Sequence, residues 1–348
     1  TLINLNTVDS ENIKHQDCFF QVTFSVSSNE NCFVSQPTTS SIADKDDERS
    51  NRLLFRNKKS FAVGHGCSPI WDDIDGDSIS KIIAEPLPTY EIKPIVPNEL
   101  KSVALKMYDL SDLTKEDISK NLNELNSEYE KWILEQEKIA NSELSGELLE
   151  TANKHIESCY NCLTRMKQGV HLLNTNDTVN RAFRLMNRSM LMQQLSYSIK
   201  TRDWIVERRN IVGLTNATIP DINDQSTWRH GLGSWRPFQL AFVLMNLNSM
   251  FDNKHSDREI VDLIWFPTGG GKTEAYLGLS AFTIFLKRLK DPNDSGTTVL
   301  MRYTLRLLTA QQFQRAASLI CACDLIRKEN ENELGRDRIT IGLWVGDS

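Results

Sequence analysis

No apolar run in this sequence approaches the ~18–20 residues a membrane-spanning helix needs, and its first residues show no charged-then-apolar targeting pattern. Cysteine is scarce. The seven present, at positions 18, 32, 67, 159, 162, 321 and 323, are odd in number and follow no framework spacing. That excludes a disulfide scaffold and predicts a reducing cytoplasm with no membrane partner. Positive charge is not in excess either, and a net charge of −6 argues against a uniformly basic nucleic-acid surface. No internal repeat is found, which sets aside solenoids and propellers. What remains, at 40% hydrophobic and 25% charged residues, is the composition of a globular chain long enough for two or three domains.

Against those absences stands one octapeptide, Phe266-Pro267-Thr268-Gly269-Gly270-Gly271-Lys272-Thr273. Before it, residues 259–266 (EIVDLIWF) form an apolar run closing on a Pro-Thr-Gly turn signal, which predicts a buried strand. After it, residues 274–289 (EAYLGLSAFTIFLKRL) have few breakers and a cationic end, which predicts a helix. Three consecutive glycines let backbone N–H groups converge with no Cβ in the way, making an anion nest at a helix N-terminus. Lys272 can reach the β- and γ-phosphates of ATP, and the Thr273 hydroxyl is placed to ligate Mg²⁺. Thr268, Gly269, Gly270, Gly271, Lys272, Thr273 and Glu274 are the candidate nucleotide-binding residues, with Lys272 and Thr273 as the catalytic pair and Thr273 as the metal ligand. The bland alternative is an ordinary glycine-rich strand-to-helix turn.

One departure narrows the class: Phe266 stands where the general phosphate-loop pattern asks for glycine. The form Pro-Thr-Gly-Gly-Gly-Lys-Thr-Glu resembles motif I of superfamily 2 helicases and translocases. Upstream, Trp235-Arg236-Pro237-Phe238-Gln239 is similar to the element whose glutamine reads the adenine edge in such motors, and Gln239 lies 33 residues before Lys272. A primary amide both donates and accepts, as adenine N6 and N7 require. Downstream, residues 297–301 (TTVLM) read as the next strand, and Tyr303-Thr304-Leu305-Arg306-Leu307-Leu308-Thr309-Ala310-Gln311 is similar to motif Ia, which grips a nucleic-acid backbone. Thr304 replaces the usual proline there, while Arg306, Leu308 and Gln311 fall in register. The resemblance therefore implies nucleic-acid contacts from Tyr303, Thr304, Arg306, Thr309 and Gln311.

Longer blocks extend the likeness. FAVGHGCSPIWD, RAFRLMNRSMLMQQ and MRYTLRLLTAQQFQRA, together with the segments around the glycine loop, resemble the helicase subunit of the DISARM anti-phage defence system from about residue 61 onward. The resemblance implies ATP and Mg²⁺ as ligands, DNA (single strands included) as substrate, and a companion defence-system subunit as partner.

Three regions are expected. Residues 1–97 look β-rich, with alternation in FFQVTFSV and a candidate strand pair over residues 52–63. Residues 98–232 look helical: Thr114 to Asp117 resembles a cap, Ser145-Gly146-Glu147-Leu148 opens a second helix, and Val179, Phe183, Met186 and Met190 mark one buried helical face. Residues 233–348 alternate helix and strand, which predicts a parallel sheet covered on both faces. The fold class expected is thus α/β, a first RecA-like motor lobe preceded by a β-rich and an α-helical region. None of the carboxylates between Glu274 and Asp347 closes an apolar strand as an Asp-Glu pair, and the chain begins with Thr1. The lobe is therefore expected to be incomplete, the chain a fragment that turns over no nucleotide alone. Charge is uneven: 13 acidic against 5 basic residues lie between Asp109 and Glu157, and 7 basic against 3 acidic between Lys272 and Arg315. Phosphate contacts should concentrate on the motor lobe.

Several other motifs tempt. Cys159 and Cys162 with His155 and His171 suggest zinc, but all four fall in one predicted helix without a second ligand pair. His65 and Cys67 lack a third orienting group, Trp71 occupies the first ligand position of a would-be calcium loop, and Cys321 and Cys323 point to different faces of a helix. The leading function is an ATP-driven DNA helicase or translocase. A nucleotide-gated interaction module without DNA-coupled turnover is the runner-up, and a different phosphate-loop enzyme such as a kinase is a weaker third.

Overall fold

A computed structural model describes residues 21–35, 46–71, 76–87, 100, 103–111, 118–199, 203–207, 210–216, 220–265, 270–303 and 306–344, the side chains of 306–309 excepted. The chain divides into two compact units, Thr1–Pro94 with Ile139–His155, and Ile95–Lys138 with Ile156–Ser348. Its architecture is mixed α/β.

In the first unit β1 (Phe24–Ser27), β3 (Ser68–Ile70) and β5 (Lys81–Glu85) form an antiparallel sheet in the order β1-β5-β3, with Phe24 opposite Ala84 and Ile70 opposite Ile83. The short strands β2 (Phe33–Val34) and β4 (Ser78–Ile79) pair separately. Residues 52–63 are not the strand pair their polar tip suggests. Arg52 to Leu54 end helix α1 (Asp46–Leu54), whose first turn is Asp46, Asp47 and Glu48. Three carboxylates at a helix N-terminus suit the macrodipole, and Arg49 and Arg52 both pair with Glu147 at 3.1 and 3.2 Å. Gly64 packs so tightly that a Cβ would sit 2.2 Å from the Cys67 carbonyl oxygen, so backbone packing accounts for the glycine beside His65. The acidic stretch 72–75 lies outside the described residues.

Helices α3 (Ser119–Glu143) and α4 (Gly146–Thr175) contribute residues to both units, and the cap proposed at 114–117 lies outside the described residues. The core of the second unit forms around α5 (Asp177–Tyr197), which packs against α2 (Met107–Ser111), α7 (Lys272–Lys290) and α8 (Arg306–Glu329). Asn176 caps α5 by accepting the Val179 N–H at 3.0 Å, and Val179, Phe183, Met186 and Met190 are all fully buried, as their spacing predicts. Helix α6 (Pro237–Phe251) packs on α7. Between α5 and α6 an antiparallel hairpin, β6 (Trp204–Glu207) with β7 (Asn210–Leu214), interrupts what reads as a helical region.

The expected parallel sheet is not shown among the described residues. Among the described residues every ladder is antiparallel, and segments 259–265, 297–303 and 338–344 carry none. Segment 259–265 nonetheless keeps a strand's alternation: Val261, Leu263 and Trp265 are 94, 86 and 76% exposed while Asp262 and Ile264 are half-buried. A parallel sheet is stable when both faces are covered. Here, among the described residues, α7 and α8 line one side of segments 297–303 and 338–344 around a cavity of about 1140 Å³. Segment 257–262 is instead tied to α4 by Arg165, whose guanidinium meets both Asp262 oxygens at 2.7 and 2.8 Å and Asp257 at 2.9 Å. Helix α9 (Glu331–Leu334) follows α8 and packs against α7. Among the described residues no helix is long and apolar enough to cross a membrane.

Candidate nucleotide site

Gly271 is the pivot of the site. It caps α7 with φ 86° and ψ 27°, the left-handed conformation an L side chain rarely adopts. A Cβ there would lie 2.7 Å from Gln239 Nε2 and 3.3 Å from Glu274 Oε2, so space as well as torsion demands glycine. Lys272 and Thr273 are the first two residues of α7, and Gly271 has no side chain with which to cap that turn. Lys272 is half-buried. Thr268 and Gly269 lie outside the described residues.

Two side chains from the start of α6 hold the loop. Gln239 is buried, and its Nε2 donates to the Gly271 carbonyl at 2.7 Å while its Oε1 accepts the Arg236 N–H at 2.8 Å. Arg236 Nη1 donates to the Gly270 carbonyl. Their footing is rigid. Pro237 confines Arg236 to extended backbone, φ −77° and ψ 146°. Trp235 is buried, donates its indole N–H to Asn187 Oδ1 at 2.7 Å, and packs on Gly278, where a Cβ would be 2.6 Å from the ring.

Beyond the loop, a polar cluster joins α7 to α8. The Thr273 hydroxyl shares a hydrogen bond of 2.9 Å with the Tyr276 hydroxyl and donates to Gln312 Oε1 at 3.4 Å. Tyr303 donates to the Tyr276 hydroxyl at 3.3 Å. Burial, then the bond to Tyr276, raises the Tyr303 phenol above its ordinary range, so it stays protonated. Arg315 pairs with Glu274 Oε1, while Glu274 Oε2 is buried with no hydrogen-bond partner among the described residues.

Of the residues singled out by sequence, Gln239, Gly270, Gly271, Thr273 and Glu274 are brought together, and Tyr303 reaches them through Tyr276. Gln311 is exposed on α8. Thr304 lies outside the described residues, and Arg306 and Thr309 are described by backbone alone, in the first turn of α8. Arg236, Tyr276, Gln312 and Arg315 are additional members. Tyr276 had a signal, three residues beyond Thr273 on the same helix, and Gln312 and Arg315 share one α8 face. Among the described residues, the cavity lined by α7 and α8 does not touch the glycine loop and meets this cluster at Tyr303 and Gln312.

The other motifs do not assemble. Among the described residues no group of three or more His, Cys, Asp or Glu is placed to hold a metal. His155 bonds Ser50 Oγ at 2.9 Å, and burial followed by Cys159 pushes the Cys162 thiol up rather than toward thiolate. Cys323 is buried, its thiol pushed up by desolvation to about 12.

Over 322 residues, 87% of its length, the chain is 36% identical to the DISARM protein DrmA of Bacillus paralicheniformis. It spans about a quarter, 27%, of that curated relative's length. No protein-family model matches it. The chain is a DISARM-related protein.

Proposed function

We propose that this DISARM-related chain is the nucleotide-binding part of an ATP-driven superfamily 2 DNA helicase or translocase acting in phage defence. One observation carries it: Gly271, at positive φ, caps α7 so that Lys272 and Thr273 open the helix. The N-terminal turn of a helix offers backbone N–H groups and the positive end of the helix dipole to a phosphate tail.

The donor set fits ATP with Mg²⁺. A buried carboxylate oxygen with no partner among the described residues, Glu274 Oε2, and the Thr273 hydroxyl are the hard oxygen groups such a cation takes. Thr273 would ligate Mg²⁺, which when bound neutralises charge on the β- and γ-phosphate oxygens. Lys272 adds a point charge there, and Gly269 to Gly271 supply amides. Gln239 would meet the adenine with the N–H and lone pair its two loop bonds leave over. Tyr303, Thr304, Arg306, Thr309 and Gln311 would hold a DNA strand, and a companion subunit would complete the assembly. A RecA-like sheet, with segments 259–265, 297–303 and 338–344 as its strands, belongs to the same proposal.

The test is phosphate release by the full-length protein, with and without single-stranded DNA, for Lys272 and for Lys272→Ala. DNA-stimulated release that disappears in the variant is expected. Equal rates in both would end the motor proposal, and nucleotide binding indifferent to DNA would point to a nucleotide-gated module instead.

A further inference from the structure

We propose that Arg236 is a positioning residue for the phosphate loop, one that no family pattern quoted above assigns a role; this rests on the nucleotide reading of the site. In a trans peptide the C=O and N–H point in opposite directions. Arg236 Nη1 holds the Gly270 carbonyl, and Gln239 Nε2 holds the next carbonyl, Gly271, at 2.7 Å. Two consecutive peptide planes are therefore turned with their oxygens toward the start of α6. The N–H groups of Gly271 and Lys272 belong to those same planes and face the other way. Consecutive amides presented on one side are what an anion needs.

The brace is stiff because each part is fixed elsewhere. The Gln239 amide has a determined orientation, its oxygen taken by the Arg236 N–H and its nitrogen by Gly271. The Arg236 backbone is set by Pro237 and by buried Trp235 before it. Gly271, with no Cβ, has no torsional preference that would hold φ 86° unaided. An unbraced glycine loop would sample many states, and the phosphate would have to order it on binding. Arg236 thus acts through the loop amides, without touching the base.

The experiment measures binding of Mg·AMP-PNP and of magnesium pyrophosphate to this chain as wild type, Arg236→Met and Arg236→Lys, with thermal midpoints alongside. Arg236→Met should weaken both ligands by the same factor, about tenfold, equivalent to ~1.4 kcal/mol. Arg236→Lys, which keeps a cationic donor, should recover most of that loss, with midpoints unchanged in both variants. Loss of AMP-PNP affinity alone, with pyrophosphate unaffected, would overturn the proposal by making Arg236 a base contact. So would Arg236→Met binding both as well as wild type does. Should Arg236→Met fail to fold, Arg236→Lys decides: tenfold weakening of both ligands at an unchanged midpoint overturns the proposal, and near-wild-type affinity upholds it. Wild type that binds neither ligand would instead remove the nucleotide reading itself.

Discussion

Replacing Gly271 with alanine acts on two independent terms at once. An L residue in the left-handed region costs ~1–2 kcal/mol. The new Cβ would also sit 2.7 Å from Gln239 Nε2, displacing a buried amide from the Gly271 carbonyl it bonds at 2.7 Å. Leaving that amide unsatisfied costs a further ~1–3 kcal/mol. The sum, roughly 2–5 kcal/mol, is below the ~5–15 kcal/mol that holds a typical domain together. Gly271→Ala should therefore stay folded while its loop abandons the braced conformation. Nucleotide-analogue affinity should fall by ~30-fold or more, the equivalent of ~2 kcal/mol. Titration calorimetry with Mg·AMP-PNP, next to a thermal melt, reads both quantities. An affinity within threefold of wild type would refute the reasoning, because neither strain nor the Gln239 contact would then matter to the site.

Two further outcomes follow from the same geometry. Tyr276→Phe removes the hydroxyl between Thr273 (2.9 Å) and Tyr303 (3.3 Å), so the full-length protein should keep its nucleotide affinity yet lose most of the DNA dependence of that affinity, which fluorescent-nucleotide titration with and without single-stranded DNA would show. Asn187→Ala strands the buried Trp235 indole N–H, now bonded at 2.7 Å, and should lower stability by ~1–3 kcal/mol, seen as a shifted denaturant midpoint with an unchanged slope.

What could be read in advance was local. The spacing Val179, Phe183, Met186, Met190 is a helical period, and all four are buried on α5. Gly146 opens α4 one residue after Ser145, and Gly-Lys-Thr opens α7. What could not be read depends on partners distant in the chain. A polar tip suggests a strand pair over 52–63, but Arg49 and Arg52 pair with Glu147 and three acidic residues begin α1. The β6–β7 hairpin hid because its connection is Arg208-Arg209, without the Asn-Gly or Asp-Gly that marks a tight turn. In the site, the glycine loop and Gln239 were legible as a motif. Tyr276 joins it from one turn along α7, but Gln312 and Arg315 do so only because α8 packs on α7, a tertiary fact.

Arg236, donating to a loop carbonyl, is one instance of a device that recurs at two buried arginines among the described residues. Arg288, buried on α7, donates to the Pro292 and Asp337 carbonyls at 3.0 and 3.1 Å. Arg327, buried on α8, donates to Gly335 and Arg336 carbonyls, both at 3.2 Å. A guanidinium presents five donors in a fixed fork, so Arg288 and Arg327 can each hold two carbonyls at once, a geometry that the single Arg236–Gly270 bond does not require. Burying the charge costs less because carbonyl dipoles and a carboxylate surround it: Asp324 meets Arg327 at 2.7 Å and accepts the Ile339 N–H at 2.9 Å, anchoring the start of segment 338–344. Helices thus fix the extended segments from one side through side chains. Under the nucleotide proposal, the carbonyls that Arg236 and Gln239 hold belong to the loop that would meet a phosphate.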